Sequence, residues 1–159
     1  MSYQQYPQQQ ANQTGVGEPP LWSPYYGAPF PVAVRRFFKK YATFSGRASR
    51  SEYWWWVLVA AVVGIIINII TAAGGATVAA DGTAVPGPGA TIGLILAVIW
   101  GLATIVPSLA LTARRLHDVN LSGWLVLLVL VPFLGAIALL VLTILPSKPE
   151  GQRFDTPAA

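Results

Sequence analysis

Three apolar runs without a single charged side chain constrain this chain more than any other feature. They extend from Tyr53 to about Ala73, from about Thr91 to Thr112 and from Trp124 to about Leu145. A hydrocarbon core about 30 Å thick takes roughly 20 helical residues at 1.5 Å rise, and each run meets that length. A soluble domain would have to bury all three, and the chain lacks the polar residues to cover them. Charged residues make up only 10% of the sequence, against roughly 25% in soluble domains. The expected fold is an all-α integral membrane protein with three transmembrane helices.

Orientation follows from the ten Lys and Arg residues, which favour the cytoplasmic flanks of spans. Arg35, Arg36, Lys39, Lys40, Arg47 and Arg50 precede the first run. None lies between the first and second runs, Arg114 and Arg115 lie between the second and third, and Lys148 and Arg153 follow the third. If all three runs cross, eight of the ten share one side. That predicts a cytoplasmic N-terminus and an external C-terminal tail. Pro132 sits inside the third run, and a re-entrant hairpin there would return the tail to the cytoplasm. The run is too short for two full crossings, so a single kinked span is the expectation.

Domain boundaries follow. Residues 1–32, rich in Gln, Pro and Tyr, read as a disordered tail and not as a signal peptide. Residues 33–146 form the membrane domain, with an interfacial helix over 33–45 and spans over about 53–73, 91–112 and 124–145. Residues 147–159 form a short polar tail. With no Cys and only His117, thiolate and multi-histidine metal sites are excluded and no cofactor is expected.

Two polar segments flank the spans. From Val34 to Phe44, the residues Val34, Phe37, Phe38, Tyr41 and Phe44 share one side at 100° per residue, and Arg35, Arg36, Lys39 and Lys40 share the other. This pattern predicts a basic amphipathic helix in the plane of the interface, its bases on anionic lipid. Next, Ser49 and Glu52 have capping-box spacing, which starts a helix at Ser49. Trp54, Trp55 and Trp56, with Trp124 beyond, belong at head-group depth. The second segment runs from Ala113 to Trp124 and holds Arg114, Arg115, His117 and Asp118. His117 suits a helix C-terminus, and Asp118 or Asn120 suits a turn. A proton-handling or phosphate-binding role is the alternative. The topology brings Arg47, Arg50, Glu52, Arg114, Arg115, His117 and Asp118 to one depth, with Glu52 expected to pair with Arg114 or Arg115.

These segments carry a family resemblance. Phe44-Ser45-Gly46-Arg47-Ala48-Ser49-Arg50-Ser51-Glu52-Tyr53-Trp54 is similar to the motif F-x-G-R-x-x-R-x-E-Y-W. Arg114-Arg115-Leu116-His117-Asp118, followed by Ser122-Gly123-Trp124, is similar to R-R-L-H-D-x-x-x-S-G-W. The chain resembles domain-of-unknown-function family 805 over about residues 34–155. Val119-Asn120-Leu121 departs from a segment that is usually more polar, and Gly151-Gln152-Arg153-Phe154-Asp155 only loosely matches the family's tail. The resemblance implies a multi-pass bacterial inner-membrane protein and supplies no reaction.

Within the spans, Ala60, Gly64 and Asn68 recur every four residues, as do Gly93, Ala97 and Gly101. Small residues at that spacing predict close helix packing, with Asn68 bonding across a helix contact. Pro107 and Pro132 should leave the carbonyls of Ala103 and Leu128 without their helical partners. The expected function is a non-enzymatic scaffold that binds anionic lipid or a protein partner, with a homo-oligomer as one such partner. An oligomeric transporter or channel comes next, and a lipid head-group enzyme last. Nucleic acid is not an expected partner, because lipid already accounts for the bases.

Overall fold

The computed structural model describes residues 18–155. Helix α1 spans Phe30–Lys39, α2 spans Arg50–Ala73, α3 spans Pro88–Asp118 and α4 spans Leu134–Ile144. Two strands, β1 (Ala76–Val78) and β2 (Ala84–Pro86), form an exposed antiparallel hairpin between α2 and α3. Asp81 shapes its turn by accepting from the Thr83 backbone N–H at 3.0 Å and from the Thr83 hydroxyl at 2.6 Å. The 24 residues of α2 and the 31 of α3 are long and apolar enough to cross a membrane. Their apolar side chains point outward, with Ile65, Ile69, Leu94 and Leu102 each more than half exposed. That surface is compatible with lipid and not with water.

Helices α2 and α3 pair along their length. Near the strand hairpin, a Cβ on Gly93 would lie 2.0 Å from the Thr71 hydroxyl, so only glycine allows this approach. At the other end, Trp56 donates from Nε1 to the Ser108 hydroxyl at 3.2 Å. Its indole stacks on Phe37 of α1, with centroids 3.3 Å apart, and more loosely on Trp100. Phe37, Ala48, Trp56 and Leu111 form the apolar core beneath the polar end.

The expected packing stripes are only partly used. Nothing lies within 4 Å of a Cβ placed on Gly64 or Gly101. Asn68 is exposed and donates to the Gly64 carbonyl of its own helix at 2.9 Å, not to a neighbouring helix. An i−4 backbone acceptor is always within its reach, so no second helix is needed. Pro107 does free the Ala103 carbonyl, and the Tyr41 hydroxyl fills it at 2.9 Å. The freed Leu128 carbonyl accepts from the Val131 N–H at 2.9 Å.

The third apolar run is not the single kinked helix expected over 124–145. Residues Gly123–Leu130 form a 3₁₀ helix, Val131-Pro132-Phe133 form a bend, and α4 returns. Phe133 stands at the tip with φ 58° and is 86% exposed. A Cβ on Gly135 would meet the Leu128 carbonyl oxygen at 1.7 Å, so glycine is what lets the two arms close. Eleven helical residues reach about 16 Å, roughly half the hydrocarbon core. Both arms are rooted at the polar end of α3. Arg115 donates from Nε to the Thr143 carbonyl at 3.0 Å and from Nη2 to the Leu145 carbonyl.

Residues 18–29, expected within the disordered start, are packed against this end, and α1 begins at Phe30 rather than near residue 33. The Ala28 N–H donates to the Ser51 hydroxyl at 2.9 Å, and Trp55 donates from Nε1 to the Ala28 carbonyl at 3.1 Å. The rest of the predicted tail, residues 1–17, lies outside the described residues.

Candidate functional site: a buried polar cap

The site is built where the N-terminal segment, α1, the start of α2, the end of α3 and the C-terminal tail meet. One half is organised by Glu52. The expected capping box is present: Ser49 Oγ accepts from the Glu52 N–H at 3.2 Å, and Glu52 Oε2 accepts from the Ser49 N–H at 3.0 Å. The same oxygen accepts from the Tyr25 N–H at 3.1 Å, and Oε1 accepts from Arg36 Nε at 2.6 Å. Arg36 then donates from Nη1 to the Pro19 carbonyl at 2.8 Å and from Nη2 to the Ser23 carbonyl at 2.5 Å. Glu52 therefore pairs with Arg36, not with Arg114 or Arg115. Its position in the first turn of α2 points it at α1.

The other half is organised by Asp118, which is fully buried. Oδ1 accepts from the Tyr26 hydroxyl at 2.7 Å, and Oδ2 accepts from the Ser147 hydroxyl at 2.5 Å and from Arg115 Nη1. Burial, and then the Asp118 charge, push the Tyr26 hydroxyl well above the ordinary tyrosine range. It stays protonated as a donor. Arg47 lies 3.6 Å from Asp118 and holds Asp155 through one guanidinium edge, Nε at 2.9 Å and Nη2 at 2.6 Å. Such a fork fixes geometry as well as charge.

Backbone contacts close the cap. The Ala48 N–H donates to the Arg114 carbonyl at 3.0 Å, Gly46 to Phe154 at 3.0 Å and Lys148 to Asp118 at 2.8 Å. Gly151 sits so close that a Cβ there would lie 2.5 Å from the His117 carbonyl oxygen. Helix α3 ends in a Schellman turn, with Asn120 at φ 62° and Leu121 N–H donating to Leu116 O at 2.9 Å. Asn120 therefore supplies the predicted turn and Asp118 does not. His117 donates from Nδ1 to the Gly46 carbonyl at 3.0 Å, which fixes its tautomer because a carbonyl only accepts. Its ring stacks on Phe154, centroids 4.1 Å apart. Beside it, Phe44, Leu109, Trp124, Leu127 and Leu130 help line an apolar groove of about 650 Å³.

The structure thus gathers Arg47, Glu52, Arg114, Arg115, His117 and Asp118. It leaves Arg50 exposed at the rim of a shallow pocket with Tyr26, Ser49, Ser51 and Ser147. Among the residues expected on lipid, Arg35, Lys39, Trp55 and Trp124 are exposed and Trp54 is half-buried. Arg36, Lys40 and Trp56 are buried, which corrects the assignment of these three. Helix α1 presses the border between its apolar and basic stripes onto the body, because Phe37 must reach Trp56 and Arg36 must reach Glu52. Tyr26, Ser147 and Asp155 were missed. Tyr26 lay in a segment without periodicity, and the pairing of Asp155 with Arg47 spans more than a hundred residues.

Among the described residues no group of three or more His, Cys, Asp or Glu side chains is placed to hold a metal. Every carboxylate oxygen of Glu52 and Asp118 already accepts at least one hydrogen bond.

Two apolar helices long enough to cross a bilayer, capped at one end by a buried ion network, define a helical membrane protein. The chain belongs to the family described as protein of unknown function (DUF805), whose model matches residues 41–156. It is similar to the inner membrane protein YhaI of Escherichia coli K12, 43% identical over 116 residues, covering 73% of this chain and 86% of that protein. It is also similar to the inner membrane protein YhaH of the same strain, 33% identical over 119 residues, covering 75% of this chain and 89% of that protein. No solved structure matches it.

Proposed function

We propose that this protein is a non-enzymatic inner-membrane scaffold with two full crossings and a re-entrant hairpin, its capped end cytoplasmic and bearing a surface for anionic lipid. The observation that carries the reading is how the polar cap divides its charges. Arg36, Arg47 and Arg115 are buried and spent on Glu52, Asp155 and Asp118. Lys39, Arg50, Lys148 and Arg153 remain exposed at the same end. Phe38, Tyr41, Phe44, Trp55 and Trp124 are exposed near them. Bases beside exposed aromatic rings suit the head-group layer of an anionic leaflet. A role without catalysis is favoured because the acidic groups are locked in pairs and His117 is held by a backbone carbonyl.

Each surface base contributes on the order of 1 kcal/mol to anionic lipid preference. The triple variant Lys39→Ala/Arg50→Ala/Lys148→Ala should therefore lose most of the enrichment in phosphatidylglycerol among lipids that co-purify with the full chain. An unchanged lipid composition would remove the basis for this reading.

An oligomeric transporter is the second reading, favoured by the unfilled face of α2 at Gly64 and Asn68. Cross-linking that recovers only monomers from native bilayers would dismiss it.

A further inference from the structure

Inside the cap, charge does not balance. Lys40 and Arg114 are 2% and 1% exposed, and neither Lys40 Nζ nor Arg114 Nη2 has a hydrogen-bond partner among the described residues. Arg114 donates only from Nε, to the Ala110 carbonyl one turn back in its own helix. The charges acting on Lys40 are, in order, Arg114, Glu52, Arg36 and Asp155. Glu52 is already paired with Arg36, and Asp155 with Arg47. Of the three buried cations Arg36, Lys40 and Arg114, Glu18 reaches Arg36 alone, at 3.4 Å, so the three share a single buried carboxylate, Glu52.

Buried donors almost always find an acceptor, and a buried charge left unpaired costs several kcal/mol. Two such donors belonging to neighbouring cations call for an acceptor that also carries negative charge. A water supplies the first property and not the second. The arrangement combines an ammonium with three free protons and a guanidinium edge, coming from α1 and α3. That pair matches the oxygens of a tetrahedral oxyanion. Lys40 ends α1, and the next residues, Tyr41 to Ser45, are exposed at the surface. Lys40 therefore lies next to an exposed stretch of chain, and Arg114 lies deeper, among buried residues.

We propose that Lys40 and Arg114 form an internal site for a phosphate-type oxyanion, either the phosphate of a phospholipid head group or free phosphate. The site is distinct from the exposed bases of the lipid surface. With the site empty, burial and the Arg114 charge hold the Lys40 ammonium down to about 7. An oxyanion between the two cations would restore its charge.

The test uses the full chain extracted from its own membrane in an uncharged detergent. Native mass spectrometry of wild type and of the surface variant Lys39→Ala should show one retained phospholipid, and Lys40→Met should lose it. That outcome identifies a lipid phosphate. If the chain is recovered free of lipid, inorganic phosphate at pH 6 should raise its Tm saturably, relative to chloride at equal ionic strength. Lys40→Met should then need on the order of 30-fold more phosphate, the effect of removing one partner from a buried charge pair. If Lys40→Met does not reach the membrane, Arg114→Lys keeps the charge and removes Nη2. The same weakening is expected of it, and unchanged binding overturns the assignment. A wild type with neither a retained phospholipid nor a phosphate-specific rise in Tm also overturns it, leaving only water at the site. The triple surface variant of the preceding section should keep its single phospholipid, so the two readings fail separately.

Discussion

Lys40 makes the clearest prediction at the scale of one residue. Its folded-state value of about 7 lies below the ordinary 10.5. Below about pH 7 both folded and unfolded chains hold the proton, and the folded state carries the full cost of the buried charge. Between about pH 7 and 10 the folded chain releases the proton and the unfolded chain keeps it. The unfolded state then binds more protons, and stability rises with pH. Arg36 and Arg114 oppose the charged form, while Glu52 and Asp155 favour it. In lipid-free, phosphate-free detergent, thermal stability should climb between pH 7 and 10 by up to on the order of 4 kcal/mol. Lys40→Met should flatten the climb, and parallel curves for the two proteins would contradict it. The sequence could not show this. A helical wheel groups Arg36 and Lys40 with Arg35 and Lys39, and nothing in the wheel says which border meets the body. What decides is the reach of Arg36 to Glu52 at 2.6 Å, a contact between two segments whose separate signals were both legible. Glu52 was readable as a cap because its first task is local. Its second, as counter-ion to α1, depends on tertiary packing.

At the scale of elements, proline placement was readable and its repair was not. Pro107 removes the N–H that the Ala103 carbonyl would accept. The replacement donor is Tyr41, 62 positions earlier in the chain, just past the end of α1. A carbonyl facing lipid without a partner is costly. Tyr41→Phe should therefore lower stability by about 1 kcal/mol or somewhat more. In a Pro107→Ala background, α3 supplies its own donor and the same substitution should cost clearly less. A double-mutant cycle of unfolding midpoints measures the difference, and equal costs in the two backgrounds would show that Tyr41 acts by packing alone. The two long helices were legible because length and lack of charge are local properties. The third run has the same properties and a different outcome. Its fate depends on Pro132 and Gly135 acting together, and on Arg115 drawing the Thr143 and Leu145 carbonyls back to α3.

At the scale of the whole molecule, the hairpin changes where the charges lie along the molecule. Three crossings would leave Lys148 and Arg153 on the far side from the other eight bases. In the structure the Lys148 N–H donates to the Asp118 carbonyl at 2.8 Å, and Phe154, next to Arg153, accepts from Gly46 at 3.0 Å. All ten Lys and Arg residues therefore gather at one end, and the opposite loop, with its strand hairpin, has none. A topology that puts every base on the cytoplasmic side satisfies the positive-inside bias more fully than one that strands two. The tail is held there by the Arg47 fork on Asp155 and by Asp118, and breaking such buried pairs typically costs 3–5 kcal/mol. A C-terminal fusion to a reporter active only in the periplasm should be silent, and one active only in the cytoplasm should work. Phe133, at the hairpin tip, should stay inaccessible to water-soluble thiol reagents as Phe133→Cys from either side. A periplasmic C-terminus with a reactive tip would restore three crossings and require the tail to leave Arg47 and Asp118. Arg47→Ala/Asp118→Asn then provides the control: loosening the tail should lower the yield of folded protein without inverting the reporter, because the seven bases left outside the tail still hold the remaining helices in place.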